Sequence, residues 1–221
     1  GALREFARRA GATPFMVGLA AYQVLLSRYT GSRDIVVGTP LNGRSRPELE
    51  PLIGFFAWSL PIRVDLSGDP PFSVVVDRVK QALMSAYRYS SVPFDRVVDE
   101  LGVPRDLSRN PVFQVWFDLA AESGGRGDLP RFDGTDVELF DLGTTRTRFD
   151  LEAHLVDTPG GDLRGRLLYA TDLFDRITVE RFARHYANVL GSAAEDPDRR
   201  LSGLRVFDGE ELAWLTGADA G

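Results

Sequence analysis

His154 and His185 are the only imidazoles in this chain, and there is no cysteine. A three-histidine metal site is therefore excluded within these residues, as is any cysteine-based metal, redox or disulfide chemistry. No G-x-S-x-G elbow, P-loop or H-E-x-x-H motif occurs. His154 takes an outward position in an alternating run whose inward members are Phe149, Leu151, Ala153 and Leu155. It reads as an exposed or partly satisfied strand histidine, because imidazole needs a placed partner to act as a base. His185 falls on the outer or flanking face of a helix and reads as a surface residue. Asp150 is a candidate carboxylate at a junction, although a strand-edge acid holding an arginine or a backbone amide accounts for it more simply.

Arg105-Asp106-Leu107-Ser108-Arg109-Asn110-Pro111 alternates charge with Ser, Asn and Pro. Such a loop can satisfy itself through side-chain to backbone hydrogen bonds. An arginine pair for a phosphate is the alternative chemistry, but the loop runs straight into the most apolar segment, which favours a structural clamp. Trp58 and Trp116 stand among apolar neighbours and read as core rather than as a ligand platform. The residues by themselves therefore give a mixed α/β domain without a complete catalytic set.

The elements that position these residues follow from periodicity and punctuation. Thr13-Pro14 is a helix start, and Phe15, Leu19, Tyr22, Leu26 and Tyr29 recur at helical spacing up to the stop at Gly31. Asp34–Thr39 predicts a short buried strand and Pro40–Pro51 a loop. Ile53–Leu66 predicts a strand interrupted at Pro61, where a bulge or a sheet edge is expected. Helices are expected over about 72–90, with Phe72, Val76, Val79, Leu83 and Ala86 on one face, and from Pro93 to Leu101. Val112–Leu119 is apolar on both faces except for Gln114 and Asp118, the pattern of a central strand. Glu122–Gly134 reads as a mobile loop. Three strands are expected at Thr135–Leu142, Thr147–Val156 and Asp162–Thr171. Asp175 caps a helix over about 176–194, and Asp208 with Glu211 forms a capping box for a last short helix.

Net charge is −6, and no basic stripe accompanies it. Nucleic-acid binding needs clustered cations over phosphates, so that class is not favoured. Lys80 is the only lysine, and the arginine excess reads as coding bias before function. No run approaches ~18 consecutive apolar residues, so no membrane helix is expected. The first ten residues form a charged amphipathic segment rather than a signal peptide, and the chain reads as cytoplasmic and as part of something longer.

Five segments in order resemble the condensation domains of nonribosomal peptide synthetases. Leu52-Ile53-Gly54-Phe55-Phe56 followed by Leu60-Pro61-Ile62-Arg63 is similar to that family's IGFFVNTLPLR motif. Val92-Pro93-Phe94-Asp95 is similar to the end of HQDVPFE, and the run from Arg105 to Phe117 to RDxSRNPLFQVMF. Phe149-Asp150-Leu151 resembles KFDL, and Tyr169 to Asp175 resembles YxTDLFD. The resemblance covers nearly the whole chain. It implies a V-shaped domain of two lobes, of which this chain is the second: one lobe of a chloramphenicol acetyltransferase-like α/β fold, a mixed sheet flanked by helices. Residues 1–208 would form the lobe, and 209–221 would begin a linker towards an adenylation domain.

The family's catalytic HHxxxDG motif belongs to the other lobe and is absent here, so no catalytic residue is expected in this chain. Implied partners are that N-terminal lobe, peptidyl carrier proteins and a downstream adenylation domain, with no nucleic acid or membrane. No cofactor is expected to bind directly; substrates would arrive on the phosphopantetheine arms of carrier proteins. The implied setting is bacterial antibiotic or siderophore biosynthesis. Thr39, Asn42, Gly43, Trp58, Ser90, Ser91, Gln114 and Trp116 are the implied substrate-tunnel candidates. Arg63, Arg105, Asp106, Arg109, Asn110, Phe149 and Asp150 are the implied lobe-bridging or structural residues. Pro40–Pro51 and the region after Leu119 are the candidate crossings to the other lobe. Two departures from the motifs stand out: Trp58 replaces the Asn of IGFFVN, and Tyr89-Ser90-Ser91 replaces HQD. An indole in place of an amide would narrow a tunnel. A non-catalytic condensation-like module that recruits a tailoring enzyme or carrier protein is the alternative reading.

Overall fold

In the computed structural model the described residues are 2–43, 47–103, 106, 108–121, 133–135, 146–158 and 162–216. Helix α1 (Ala2–Arg9) precedes α2 (Pro14–Thr30), and β1 (Asp34–Asn42) leads through a 3-10 turn at Pro47–Leu49 to β2 (Ala57–Asp65). Helices α3 (Phe72–Arg88) and α4 (Phe94–Leu101) follow, then β3 (Val115–Ala121), β4 (Leu151–Asp157), β5 (Leu163–Tyr169), α5 (Arg176–Glu195) and α6 (Gly209–Thr216). The strands make one five-stranded sheet in the order β2-β1-β3-β4-β5. The outer pairs β1/β2 and β4/β5 are antiparallel, whereas β1/β3 and β3/β4 are parallel.

Alternation sorts the sheet into two faces. Ile35 and Val37 of β1, Leu60, Ile62 and Val64 of β2, Phe117 of β3, and Leu151, Ala153 and Leu155 of β4 all join the core formed with α2, α3 and α5. Helix α2 is at its centre. Thr13 Oγ1 accepts from Met16 N, Pro14 opens the helix, and Gly31 closes it at φ 71 with its N–H on the Ser27 carbonyl. Every residue from Val17 to Leu26 is buried. The helical recurrence of Phe15, Leu19, Tyr22, Leu26 and Tyr29 predicts a wide buried stripe; burial over Val17–Leu26 instead runs all round, which matches a sequence apolar on all sides of the helix. Gln23, the polar exception, donates to the Ile62 carbonyl at 3.0 Å.

Helix α3 buries Phe72, Val75, Val76, Val79 and Leu83. Its first N–H groups find no side-chain cap. Instead Phe72 N and Ser73 N donate to the Arg199 and Pro197 carbonyls, 3.0 and 2.8 Å away. Helix α5 is capped as the sequence predicts, with Asp175 Oδ1 accepting from Thr178 N at 2.7 Å.

Several strand boundaries differ from expectation for identifiable reasons. β2 starts at Ala57, not Ile53, because the last β1 pair is Asn42 with Ala57; beyond it Gly43 N donates to the Phe56 carbonyl, which closes the turn instead of extending the ladder. Its Pro61 sits unbulged opposite Gly38 on a true sheet edge. β1 continues to Asn42, so the expected loop begins only after it. β3 starts at Val115, because Val112 has φ 72, a left-handed value that a strand cannot contain. β4 starts at Leu151, because residues 147–149 bend around the Glu152 carboxylate. The expected Glu122–Gly134 loop and Thr135–Leu142 strand lie almost wholly outside the described residues.

Candidate functional site

Five of the eight tunnel candidates converge. Asn42 and Gly43 at the end of β1, Trp58 at the start of β2, and Ser90 and Ser91 after α3 line one cleft of about 390 Å³. Leu41, Tyr87 and Pro93 complete its wall. β1 and β2 place Leu41 directly opposite Trp58 on the helix-facing side of the sheet. The turn from α3 to α4 brings the serines over that end. Trp58 is 48% exposed, so its expectation as a core residue is corrected: one rung from the end of the strand pair it lies against Gly43 and walls the cleft.

Gly43 is what lets the indole lie there. A Cβ at residue 43 would stand 2.1 Å from Trp58 Nε1 and 2.5 Å from the Phe56 carbonyl oxygen. Gly43 N donates to that same carbonyl at 2.6 Å, closing the turn. Ser90 Oγ donates to the Tyr87 carbonyl at 2.8 Å, fixing the end of α3.

The other three tunnel candidates lie elsewhere. Thr39 shares the core face with Ile35 and Val37 and is fully buried, so it lines no cleft. Gln114 donates to the Asn110 carbonyl at 2.8 Å and borders a separate cavity of about 730 Å³ with Asp95, Asp99 and Arg109. Trp116 is buried on the opposite sheet face, stacked on Phe149 with ring centroids 5.0 Å apart and planes 8° from parallel. The alternation predicts Phe149 in the main core; the bend before β4 turns it onto this second aromatic cluster instead, where Phe113 joins both rings. Phe113 fits because Gly38 has no side chain: a Cβ there would lie 2.0 Å from the Phe113 ring.

The residues expected to bridge or clamp act within this unit. Arg63 pairs with Asp34 at 2.7 Å across the β1/β2 edge. Asp106 accepts from Ser108 N and Ser108 Oγ, which holds its carboxyl below the usual range. Asn110 Nδ2 donates to the Arg148 carbonyl at 2.7 Å, tying the loop before β3 to the bend before β4. Asp150 serves through its backbone, its N–H on the Gln114 carbonyl and its carbonyl accepting from Ala170 N. Arg109 lines the second cavity, and Arg105 lies outside the described residues.

Neither histidine borders the Gly43–Trp58 cleft; His185 lines a separate cavity of about 610 Å³ with Tyr29, Phe207, Glu211 and Trp214. His154 projects from the same sheet face as Trp116, and its Nε2–H donates to Glu152 Oε2 at 2.9 Å. Its Nδ1 stands 4.0 Å from Asp118 Oδ2 on the neighbouring strand. Glu152 is buried and also accepts from Thr147 Oγ1 and Arg148 N, both at 2.7 Å. Burial alone would push its carboxyl up; the converging donors win, and it titrates below its ordinary value.

His185 corrects its expectation as a surface residue, being only 3% exposed. Its Nε2–H donates to Glu211 Oε2 on α6, and its Nδ1 meets the Tyr29 hydroxyl on α2, each at 2.7 Å. The ring thereby bridges α6 and α2 through its two nitrogens. The helical spacing gives no hint of this because the partner that buries His185 comes from another helix. Among the described residues, no group of three or more His, Asp or Glu side chains is arranged to hold a metal.

Comparison with known proteins places these features. The Condensation domain family model matches residues 1–216. The chain is 42% identical over 211 residues to a linear gramicidin synthase of Brevibacillus parabrevis, covering 95% of this chain and 4% of that protein. It is 38% identical to tyrocidine synthase 2 of the same organism, covering 97% and 6%. The chain thus spans only a small fraction of the length of these relatives. Among solved structures, the X-domain from teicoplanin biosynthesis superposes with a TM-score of 0.81 at 36% identity, over 93% of this chain and 47% of that one. The complex of that X-domain with OxyB gives 0.78 at 37%, over 94% and 45%. A four-domain nonribosomal peptide synthetase bound to AMP and glycine gives 0.85 at 24%, over 96% and 17%, and shows a shared fold. The mixed sheet flanked by helices is the fold expected of this chloramphenicol acetyltransferase-like group, and with the family model matched over almost its whole length, this chain belongs to the condensation-domain family of nonribosomal peptide synthetases.

Proposed function

We propose that the chain is the C-terminal lobe of a condensation domain that joins carrier-bound aminoacyl or peptidyl thioesters by an amide bond. In that reaction the acceptor amine attacks the donor carbonyl. A C–N bond forms, the C–S bond breaks, the thiol leaves on its phosphopantetheine arm and the amine loses a proton. The HHxxxDG motif of the partner lobe would handle that proton. This lobe supplies tunnel wall and carrier-protein docking surface, and it binds no cofactor of its own. Holding two tethered reactants in register lowers a barrier by as much as ~7–11 kcal/mol, so a wall without a base is still a catalytic asset.

The observation that supports this reading best is the single cleft assembled from Asn42–Gly43, Trp58 and Ser90–Ser91, segments remote in sequence. The occupation of both imidazoles by carboxylates inside the lobe agrees with it. The setting we infer is cytoplasmic, with peptidyl carrier proteins and an adenylation domain as neighbours. Incubating this chain with two loaded carrier proteins tests the assignment. No amide product is expected, and steady turnover from pure protein would refute it.

A second reading has an observation of its own. The X-domain structures share 36% and 37% identity with this chain, and one was solved with OxyB. Together with Trp58 in place of the motif Asn, this supports a non-catalytic module that recruits a tailoring enzyme. The domain comprising both lobes discriminates: recruitment predicts binding of the enzyme without amide formation, condensation predicts product.

A further inference from the structure

The cleft beside Gly43 carries more information than its position. Its two largest walls are aromatic, Trp58 and Tyr87, exposed by 48% and 44%. Neither ring packs against another aromatic ring among the described residues, although twelve other aromatic contacts occur in the same set, so these two rings are held apart from the clusters that fill the core. Leu41 and Pro93 add aliphatic surface, and Ser90 and Asn42 are its polar lining residues. The space, about 390 Å³, is at the small end for a ligand site and suits one side chain rather than a peptide. Aromatic rings gain an edge-to-face or offset-stacked contribution against other rings beyond the area they bury, which an aliphatic group does not.

The indole is also fixed in advance. Gly43 leaves no room between the turn and Trp58 Nε1, so the ring is wedged where any larger residue would expel it. A wall ordered before binding costs less entropy to use.

We propose that this cleft is a specificity pocket for a pantetheine-borne aminoacyl group with an aromatic side chain, and that Trp58 is its selecting residue. The inference rests on the condensation reading for the nature of the tether. The side-chain preference rests on the cleft alone. Tyr87 and Gly43 are positioning residues in this scheme, the first as the facing wall and the second as the seat of the indole.

The test titrates tyrosyl-, leucyl- and alanyl-pantetheine amides into the 221-residue chain, measuring affinity by calorimetry. The tyrosyl probe should bind at least ~5-fold more tightly than the leucyl probe, the advantage expected of added ring contacts. Trp58→Asn should bring the two within ~2-fold of each other. Gly43→Ala, which removes no aromatic group, should do the same by displacing the indole. Equal affinity for tyrosyl and leucyl probes in the wild type would overturn the proposal, as would a preference unchanged in both variants. Thermal unfolding of each variant shows whether a lost preference reflects a lost fold; if Trp58→Asn melts early, Gly43→Ala and Tyr87→Leu carry the decision.

The same acceptors in the two-lobe domain separate this claim from the one beneath it. Product formed from all acceptors without regard to residue 58 would sink the pocket and leave condensation standing. No product from any acceptor, with tyrosyl binding still dependent on Trp58, would sink condensation and leave the pocket.

Discussion

Glu152 shows how much a single buried carboxylate can organise. It accepts from the Thr147 hydroxyl, from the Arg148 and Phe149 amides and from His154, and in doing so bends the chain into β4. Because these donors hold its folded-state pKa below the ordinary glutamate value, it contributes stability above the unfolded value. That contribution is lost as pH falls through the folded value. Acidification from about pH 5 downward should therefore lower the melting temperature more steeply in the wild type than in Glu152→Gln. Parallel slopes would contradict it. At neutral pH the same substitution turns an amide group towards donors and should cost ~1–3 kcal/mol. Equilibrium denaturation measures that cost.

The alternation was legible over residues 151–155, where it marked the strand and put His154 on the correct face, but it failed at Phe149, which lies in the bend before β4. It could not reveal Glu152, because a carboxylate at an outward position looks solvated until its four donors are assembled in space. Trp58 and Trp116 carry the complementary lesson. Both are indoles among apolar neighbours in sequence, yet one walls a cleft and the other is buried in a stack. Which of them ends a strand pair is decided by where β1 stops.

Among the elements, those with strong punctuation were readable. Thr13-Pro14 with Gly31, and Asp175, marked helices that fold as the sequence predicts. Pro61 announced a bulge or an edge, and the fold makes it an edge. Less readable were the features that depend on another element. The first turn of α3 is satisfied by carbonyls far downstream, at Pro197 and Arg199, and α6 is held by a hydrogen-bonded chain from Glu211 through His185 to Tyr29. Phe207 adds an edge-on contact to the His185 ring. The Asp208 cap alone would leave α6 a short helix with Leu212, Trp214 and Leu215 exposed, and a helix this short is marginal without tertiary contacts. Removing the clasp in His185→Ala should therefore raise amide hydrogen exchange across 209–216 by at least ~10-fold, about 1.4 kcal/mol of local opening. Exchange in α2 should not change. Unaltered protection of α6 would show that the clasp is not what holds it.

At the scale of the whole molecule, composition gave the class and the motif order gave the family. Helices α2, α3 and α5 bury one face of the sheet. The other face presents Trp116, Asp118, Glu152 and His154 in register across β3 and β4. The Gly43–Trp58 cleft opens at the end of the helix-side face, where β1 and β2 meet the turn between α3 and α4. The motifs group the tunnel candidates as one set; the fold divides them among these places and the core. Alternate residues of one strand point to opposite sides, and strands that end at different levels carry like residues to different surroundings. Trp116 is parted from Trp58 by the first of these, and Thr39 by its depth within β1.

Under the function proposed above, this chain shapes and selects, and proton transfer belongs to the other lobe. His154 is the residue that could contradict such a separation, since Glu152 orients its ring as a carboxylate orients a general base. Amide formation by the two-lobe domain, compared between wild type and His154→Gln, is the direct measurement. Product formation within ~3-fold of wild type is the expected result, and a loss of ~10²-fold or more, the scale of a missing general base, would contradict it.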